Sequence, residues 1–518
     1  ERRGLKHPMH DEKKNLLLVT PFMPYPLNVG GKIRIHTLAK LLSDRYNIFL
    51  LTLIDHRDEL NYIPELKSVF KKVYAVYPRS PITKKIYPSL YKHAFSNALI
   101  EKFKHIERHI PLDLIQIESN ELLYLTEYVK HVPIIYTEHD ASILSFQRSY
   151  YNQKNRFFIS NFYDYLKRVY YHHSVYKKLD KVIVLSKEDE DIVRSVFPNM
   201  DISFVPTGTD LAHFSLDSSG YKAKRLIFIG HYPHYPNEEA VYYFVNRILP
   251  LIRQREPQME FLIVGSRPTE RIKKLANLPN VRLIGEVKDV WPYLKEASVF
   301  VNPIKISRGI KGKVLEAMAT GIPVVATKRG SSGIEARHGE EILITDSPSD
   351  FAYYVVRLLQ KEALHSKIAK KARRLVEKKY DWFKISKLLN RAYKEATNCF
   401  NGEVEQKEDI LTLTKILDRT KDIVERSIED KKFLVGPEHG PSELHIELTY
   451  KCNSSCLMCD LWDYHKRMPK NGREELKLDE IKRFIKESEY LKKTKIVVLS
   501  GGEPFLRRDI IETAGFFI

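Results

Sequence analysis

The sequence predicts an α/β protein: two domains of doubly wound, mostly parallel sheet, then a shorter strand–helix–strand segment. Three observations carry that prediction. Short apolar runs alternate with helical stretches from Asn15 into the 390s, the pattern of βαβ units. Glycines break the chain between strand and helix at Gly30–Gly31 and again at Gly309 and Gly312, as nucleotide-binding turns do. The 518 residues are enough for about three domains.

Composition narrows the class. With 43% hydrophobic residues the chain is globular rather than disordered. No apolar run approaches the roughly 18 residues of a membrane helix. No export signal opens the sequence, and Glu1 in place of Met reads as a fragment edge. The formal net charge of +19 favours anionic partners: nucleic acid, nucleotide sugars or an acidic membrane surface. The basic residues are dispersed and no nucleic-acid module is visible, which discounts nucleic acid. Three of the four cysteines are clustered between Cys452 and Cys459. In a chain without an export signal this favours metal ligation and a reducing, cytoplasmic setting.

In chain order, residues 1–13 are polar and expected to be disordered. Asn15–Phe22 is an apolar strand. It runs through Pro24, Pro26 and the loop Gly30–Gly31 into an amphipathic helix, KIRIHTLAKLLSDRY. Further strands are expected at Asn47–Ile54, Lys72–Tyr77, Leu112–Ile117 and Pro133–Thr137. The last of these ends in Glu138-His139-Asp140, and strand C-termini are where open α/β sheets place ligand groups. Residues 144–179 interleave aromatic and basic side chains. Two readings stand: an acceptor groove or a face peripheral to an anionic membrane, at its inner surface, or helices packing their aromatics inward. Strands at Lys181–Leu185 and Ile202–Val205 lead to Pro206-Thr207-Gly208-Thr209-Asp210 and Phe214, with a linker over Asp217–Gly220. The second domain opens at Arg225–Ile229 and Gly230. It continues through Phe261–Val264, Val281–Ile284, Val299–Asn302 and Pro323–Ala326. Tyr380-Asp381-Trp382 opens a helix to about Ala396. The expected segments are thus 14–217, 218–380, a helix over 381–398, a charged linker over 399–440, and a last unit over 441–518.

The most informative stretch is Pro303–Thr327, PIKISRGIKGKVLEAMATGIPVVAT. Gly309 and Gly312 relax the backbone where a helix starts, and a helix N-terminus is an anion site. Lys313 and Glu316 share a helix face; an ammonium suits a phosphate, and a carboxylate suits a pair of sugar hydroxyls. Leu315, Met318 and Ala319 pack the opposite side. An ordinary helix start with a solvated Lys and Glu would look the same by spacing alone.

The run K-V-L-E-A-M-A-x-G-x-P-V-V-A-T resembles the nucleotide-sugar site of family-4, retaining glycosyltransferases of the GT-B fold. The resemblance implies two Rossmann-like domains and transfer of a sugar from a nucleotide-sugar donor to a hydroxyl acceptor, lipid- or polysaccharide-linked. It implies that the loop amides and Lys313 face the diphosphate, that Glu316 holds the ribose, and that His139 and Gly30–Gly31 complete the cleft. The family's first glutamate is replaced by Arg308, as in a branch resembling exopolysaccharide sugar transferases. A phosphate-binding lysine common after the first strand of the donor domain is absent; His231, Tyr232 and Asn237 occupy that region. No metal is expected at this site. The alternative is a degenerate nucleotide-binding scaffold that positions the last unit.

In that last unit Glu443–Thr449 alternates as a strand, and Cys452, Cys456 and Cys459 follow in C-x3-C-x2-C spacing. A helix over Lys477–Leu491 and a strand over Lys495–Leu499 lead to Ser500-Gly501-Gly502-Glu503-Pro504. The pair of motifs resembles radical S-adenosylmethionine enzymes. The resemblance implies a [4Fe–4S] cluster on the three thiolates, and S-adenosylmethionine at Gly501, Gly502, Glu503 and Pro504. Met458 stands where an aromatic residue is usual. A zinc site using the three cysteines with His465 or Asp460 is the rival. The sequence stops at Ile518 after about two strands, so a truncated barrel, inefficient at cofactor cleavage, is the expectation.

Overall fold

A computed structural model describes residues 13–77, 91, 94–141, 168, 171–216, 224–306 and 311–400, and the backbone of 443–449 and 496–501. The chain forms two compact units, one of residues 1–144 with 148–407, the other of 408–518 with 145–147.

The first unit holds two sheets. Strands β1 (Lys14–Thr20), β2 (Tyr46–Leu53), β3 (Lys72–Val76), β4 (Leu114–Ile117), β5 (Ile134–Glu138), β6 (Lys181–Val184) and β7 (Ile202–Phe204) run in the order β3-β2-β1-β4-β5-β6-β7. Every pairing is parallel. The sequence explains why: β1 and β6 are mostly apolar and do not alternate, and β4 and β5 are buried along their whole length although they carry Gln116, Thr137 and Glu138, as strands covered on both faces are. Strands β8 (Arg225–Ile229), β9 (Glu260–Val264), β10 (Val281–Gly285), β11 (Val299–Asn302), β12 (Val324–Ala326) and β13 (Leu343–Ile344) form the second sheet, in the order β10-β9-β8-β11-β12-β13, again parallel. In each sheet the strand order reverses beside the first strand, at β1–β4 and at β8–β11. The crevice of such a sheet opens at the strand C-termini there.

One local expectation needs correction, and one further helix is irregular. The glycine pair is not a loop: α1 (Gly30–Leu42) begins at Gly30 itself, with Val29 extended at its N-cap and its carbonyl accepting from Ile33 N at 3.0 Å. Neither glycine takes a positive φ, so both enter the helix as ordinary residues. Arg34, Ile35, Leu38, Ala39 and Leu42 form its buried face. The helix stops at Ser43, and Tyr46 instead opens β2. The helix after β8 is also not uniform. Tyr235–Tyr243 is α-helical, Phe244–Ile248 widens into a π-turn, and Leu249–Arg253 closes it. Pro250 has no N–H to donate and its ring crowds the preceding turn, which forces the wider spacing.

The chain passes between the two lobes twice, and the two passages lie side by side. Thr209 N donates to Tyr380 O at 2.7 Å, and Thr209 bridges Asp381. A Cβ on Gly208 would stand 2.7 Å from the Trp382 ring, so only glycine fits beneath that indole. Beyond the second passage, the Asp381 carboxylate caps the final helix, Trp382–Cys399, accepting from Phe383 N at 2.8 Å and Lys384 N at 3.2 Å. Its Trp382, Ile385, Leu389, Tyr393 and Ala396 join the core of the first sheet with Leu16, Ile35 and Ile48. The helix follows the second lobe in sequence yet is buried against the first.

In the second unit, β14 (Glu443–Thr449) and β15 (Ile496–Gly501) pair in parallel, with Thr449 opposite Gly501.

Candidate functional site

The site is assembled from loops at the C-terminal ends of both sheets. On the second lobe, α2 (Gly312–Thr320) is built of good helix formers. Val314, Leu315, Ala317, Met318 and Ala319 are buried, and Gly321 ends the helix at φ 84°, with Ile322 N returning to Ala317 O at 3.1 Å. Lys313 and Glu316 share the outer face, as their spacing predicts. The Lys313 ammonium donates to both Glu316 oxygens at 3.0 and 2.9 Å. Glu316 is largely buried while Lys313 is 41% exposed, so the cation is presented to solvent by a carboxylate behind it. Gly312 is the first residue of α2. Arg308 and Gly309 lie outside the described residues.

Lys311, at the N-cap of α2, was not singled out from the sequence. Burial pushes its ammonium down to about 8 against the attraction of Asp140, Glu188 and Asp189. Those carboxylates belong to the first lobe, so the start of α2 faces the loop after β5. Arg329, just after β12, donates to Glu188 at 3.1 Å and joins the lobes a second time. The neighbouring glycine loop of the second lobe is tied down by its own polar groups. His231 Nδ1 lies 2.7 Å from Ser266 Oγ, Tyr232 OH donates to Val264 O at 2.8 Å, and Asn237 donates to His231 O at 2.9 Å. None of these replaces the absent lysine with a cation.

On the first lobe, the end of β5 carries a dense polar cluster. Glu138 is fully buried and accepts from Tyr176 OH at 2.9 Å and Asp140 N at 3.1 Å. Burial pushes its carboxyl up to about 7, with Asp189 and Asp140 adding to the rise. Asp189 accepts from Ala141 N at 3.2 Å and from Ser186, and burial lifts it to about 6. His139, the next residue after Glu138, is about one third exposed, with Nε2 2.7 Å from Glu118 Oε2. Glu118 directly follows β4 and is buried. It also accepts from Thr137 Oγ1 at 3.0 Å and from Gln116 Nε2. Gln116 Oε1 in turn accepts from Tyr393 OH of the final helix. Burial alone would raise the Glu118 carboxyl. The His139 contact, the Arg34 charge and the Thr137 hydroxyl outweigh it and hold the group below the usual carboxylate range. Arg34, buried in α1, donates to Pro206 O at 2.5 Å and Val205 O at 2.9 Å. Glu118 was missed in the sequence, although the rule that drew attention to His139, a polar residue at the end of a buried strand, applies equally to it.

Among the described residues no cluster of His, Cys, Asp and Glu is set to hold a metal ion, and no helix is long and apolar enough to cross a membrane. Cys452, Cys456, Cys459, Gly502, Glu503 and Pro504, the rival ligands Asp460 and His465, and most of the aromatic–basic stretch 144–179 lie outside the described residues; in the described part of that stretch Tyr171, His172 and Tyr176 are buried.

Comparison with known proteins agrees with this architecture. Residues 30–213 match the family model described as Glycosyltransferase Family 4, and residues 223–361 that of Glycosyl transferases group 1. Residues 446–515 match the Radical SAM superfamily. An uncharacterized 44.6 kDa protein in the cps region of Klebsiella pneumoniae is 21% identical over 389 residues, spanning 71% of this chain and 97% of its own length. A probable GTP 3′,8-cyclase of Pyrococcus abyssi is 37% identical over 71 residues, 14% of this chain and 21% of that protein, so the chain spans about a fifth of it. Among solved structures, sucrose-phosphate synthase (tll1590) from Thermosynechococcus elongatus superposes with a TM-score of 0.56 at 17% identity, covering 74% of this chain and 99% of that one. Anabaena Alr3699/HepE in complex with UDP-glucose gives 0.54 at 15% identity, covering 73% and 99%. The chain therefore carries two glycosyltransferase domains in a GT-B fold, the first matching the Family 4 model and the second the group 1 model, and its residues 446–515 match the radical SAM superfamily model.

Proposed function

We propose that the first unit is a retaining glycosyltransferase that moves a sugar from a nucleotide-sugar donor to a hydroxyl acceptor, with residues 14–217 as acceptor domain and 218–380 as donor domain. The observation that carries the reading is the opposition of α2 and the β5 loop. Arg329, just after β12, pairs with Glu188 of the first lobe at 3.1 Å, Lys311 at the N-cap of α2 feels the charges of Asp140, Glu188 and Asp189, and Asp140 adjoins His139. In the proposed complex the α2 amides and Lys313 balance the departing diphosphate. Lys313 exchanges one carboxylate partner for phosphate oxygens, which frees Glu316 to take the ribose hydroxyls. His139 borders the reacting sugar. A nucleotide sugar is also the donor class present in the HepE complex.

For the second unit we propose a [4Fe–4S] cluster on Cys452, Cys456 and Cys459, with S-adenosylmethionine against Gly501, Gly502, Glu503 and Pro504. The support is the register of the two described strands. Thr449 lies opposite Gly501, so both segments leave the same end of the paired strands. When bound, the cluster and its open iron would supply reductive cleavage of the sulfonium.

The deciding experiment for the first unit is a screen of nucleotide sugars for thermal stabilisation, followed by transfer assays with Lys313→Ala. Stabilisation by one donor and loss of transfer in the variant is the expected result. Binding without transfer in the wild type would favour a non-catalytic scaffold. For the second unit, anaerobic reconstitution is expected to yield iron and acid-labile sulfide; zinc in their place would refute the cluster.

A further inference from the structure

We infer that Glu118 is a positioning residue for His139, fixing the ring's tautomer and the edge it presents to the cleft. The inference rests on the sugar-transfer reading only for its consequence in turnover; its geometry stands alone. Glu118 is buried, and its two oxygens meet three donors: His139 Nε2 at 2.7 Å, Thr137 Oγ1 at 3.0 Å and the Gln116 amide. Each donor is itself anchored. Thr137 precedes Glu138 on β5 and is fully buried, and Gln116 lies on β4 with its carbonyl oxygen held by Tyr393 OH. The buried Arg34 guanidinium, fixed on the carbonyls of Val205 and Pro206, supplies the compensating charge.

A carboxylate only accepts hydrogen bonds, so the imidazole nitrogen facing it carries the proton. Nε2–H therefore points inward to Glu118, and Nδ1 is the nitrogen left to face other groups. A ring on a loop after a strand would otherwise turn freely about its last bond. Here one edge is locked from within the sheet, the arrangement by which an outer carboxylate orients a working imidazole. The final helix takes part through Tyr393, so the segment that returns from the second lobe also braces the histidine of the first.

The test has two arms on the full chain. In the first, the His139 ring is followed by nitrogen-15 NMR, assigned by its loss in His139→Gln. The wild type is expected as the Nε2–H tautomer alone, retained in Glu118→Gln, whose amide oxygen still accepts, and replaced in Glu118→Leu by a mixture of the two tautomers. The second arm measures turnover with the donor found by screening. Glu118→Leu is expected to lower kcat by about 10- to 100-fold while the donor KM and nucleotide affinity stay within about twofold. In a His139→Gln background the same change is expected to add nothing, because the ring it orients is gone. An unchanged tautomer in Glu118→Leu, or fully multiplicative losses in the double variant, would overturn the assignment. Because the NMR arm needs no turnover, an inactive wild type would refute the sugar-transfer reading and still decide the role of Glu118.

Discussion

Glu138→Gln should make the protein more stable at pH 8 and leave it nearly unchanged at pH 5. The Glu138 side chain is fully buried and its carboxyl is pushed up from 4.5 to about 7 by burial. Between those values the folded state holds a proton that the unfolded chain has released. Folding then takes up a proton, so stability falls as pH rises from about 4.5 to about 7 and is level above that. The full gap corresponds to roughly 3 kcal/mol, and relaxation around the ionised group reduces it to on the order of 2 kcal/mol. Glutamine copies the shape of the protonated acid. It keeps one oxygen to accept from Asp140 N, and the Tyr176 hydroxyl can reverse to accept from the new amide. The assay is urea denaturation at half-unit pH steps from 5 to 8, followed by tryptophan fluorescence, since Trp382 lies in the first-sheet core. Asp189 is raised to about 6 and weakens the wild type in the same direction; because its charge also acts on Glu138, the difference between the two proteins reports Glu138 together with its coupling to Asp189. A difference constant with pH, or a glutamine variant that is weaker at pH 8, would refute the reasoning.

Three further outcomes are expected. Lys313→Ala should weaken binding of a nucleoside diphosphate by about tenfold or more in calorimetry, yet change stability by less than about 1 kcal/mol, because its ion pair with Glu316 is half exposed. Gly265→Ala should destabilise by about 3 kcal/mol or more, read as a fallen thermal midpoint: the residue sits at φ +142° and its Cβ would stand 1.7 Å from the Gly230 carbonyl oxygen. Ser186→Ala should cost about 1 kcal/mol, because the hydroxyl caps the helix Lys187–Val196 by accepting from Asp189 N at 3.0 Å.

Much of the fold was legible because buried parallel strands write themselves as unbroken apolar runs. LLLVT, VIV and VVA each proved a strand, and the Lys313–Glu316 pair followed from helical spacing alone. What local pattern could not supply was partnership across distance. The two-residue strand Leu343–Ile344 exists only because β12 offers it an edge. The Gly30–Gly31 pair reads as a turn by composition but is drawn into a helix whose Ile35, Leu38 and Leu42 are needed by the core. Glu118 and Lys311 carry no motif. Their character comes from burial and from neighbours elsewhere in the chain: the histidine across two strands, and the carboxylates of the other lobe.

The adjacent passages at Thr209 and Asp381 have a mechanical consequence. A body joined to another at two separated points resists turning, whereas two joints set next to each other behave as one axle. The two passages therefore define one short length of backbone about which the halves would turn once the Arg329–Glu188 pair between them opens. The Trp382 ring seated over Gly208 is the bearing of that axle. Enlarging the glycine would wedge that bearing and displace a ring that also belongs to the first-sheet core, so the joint and the fold would suffer together.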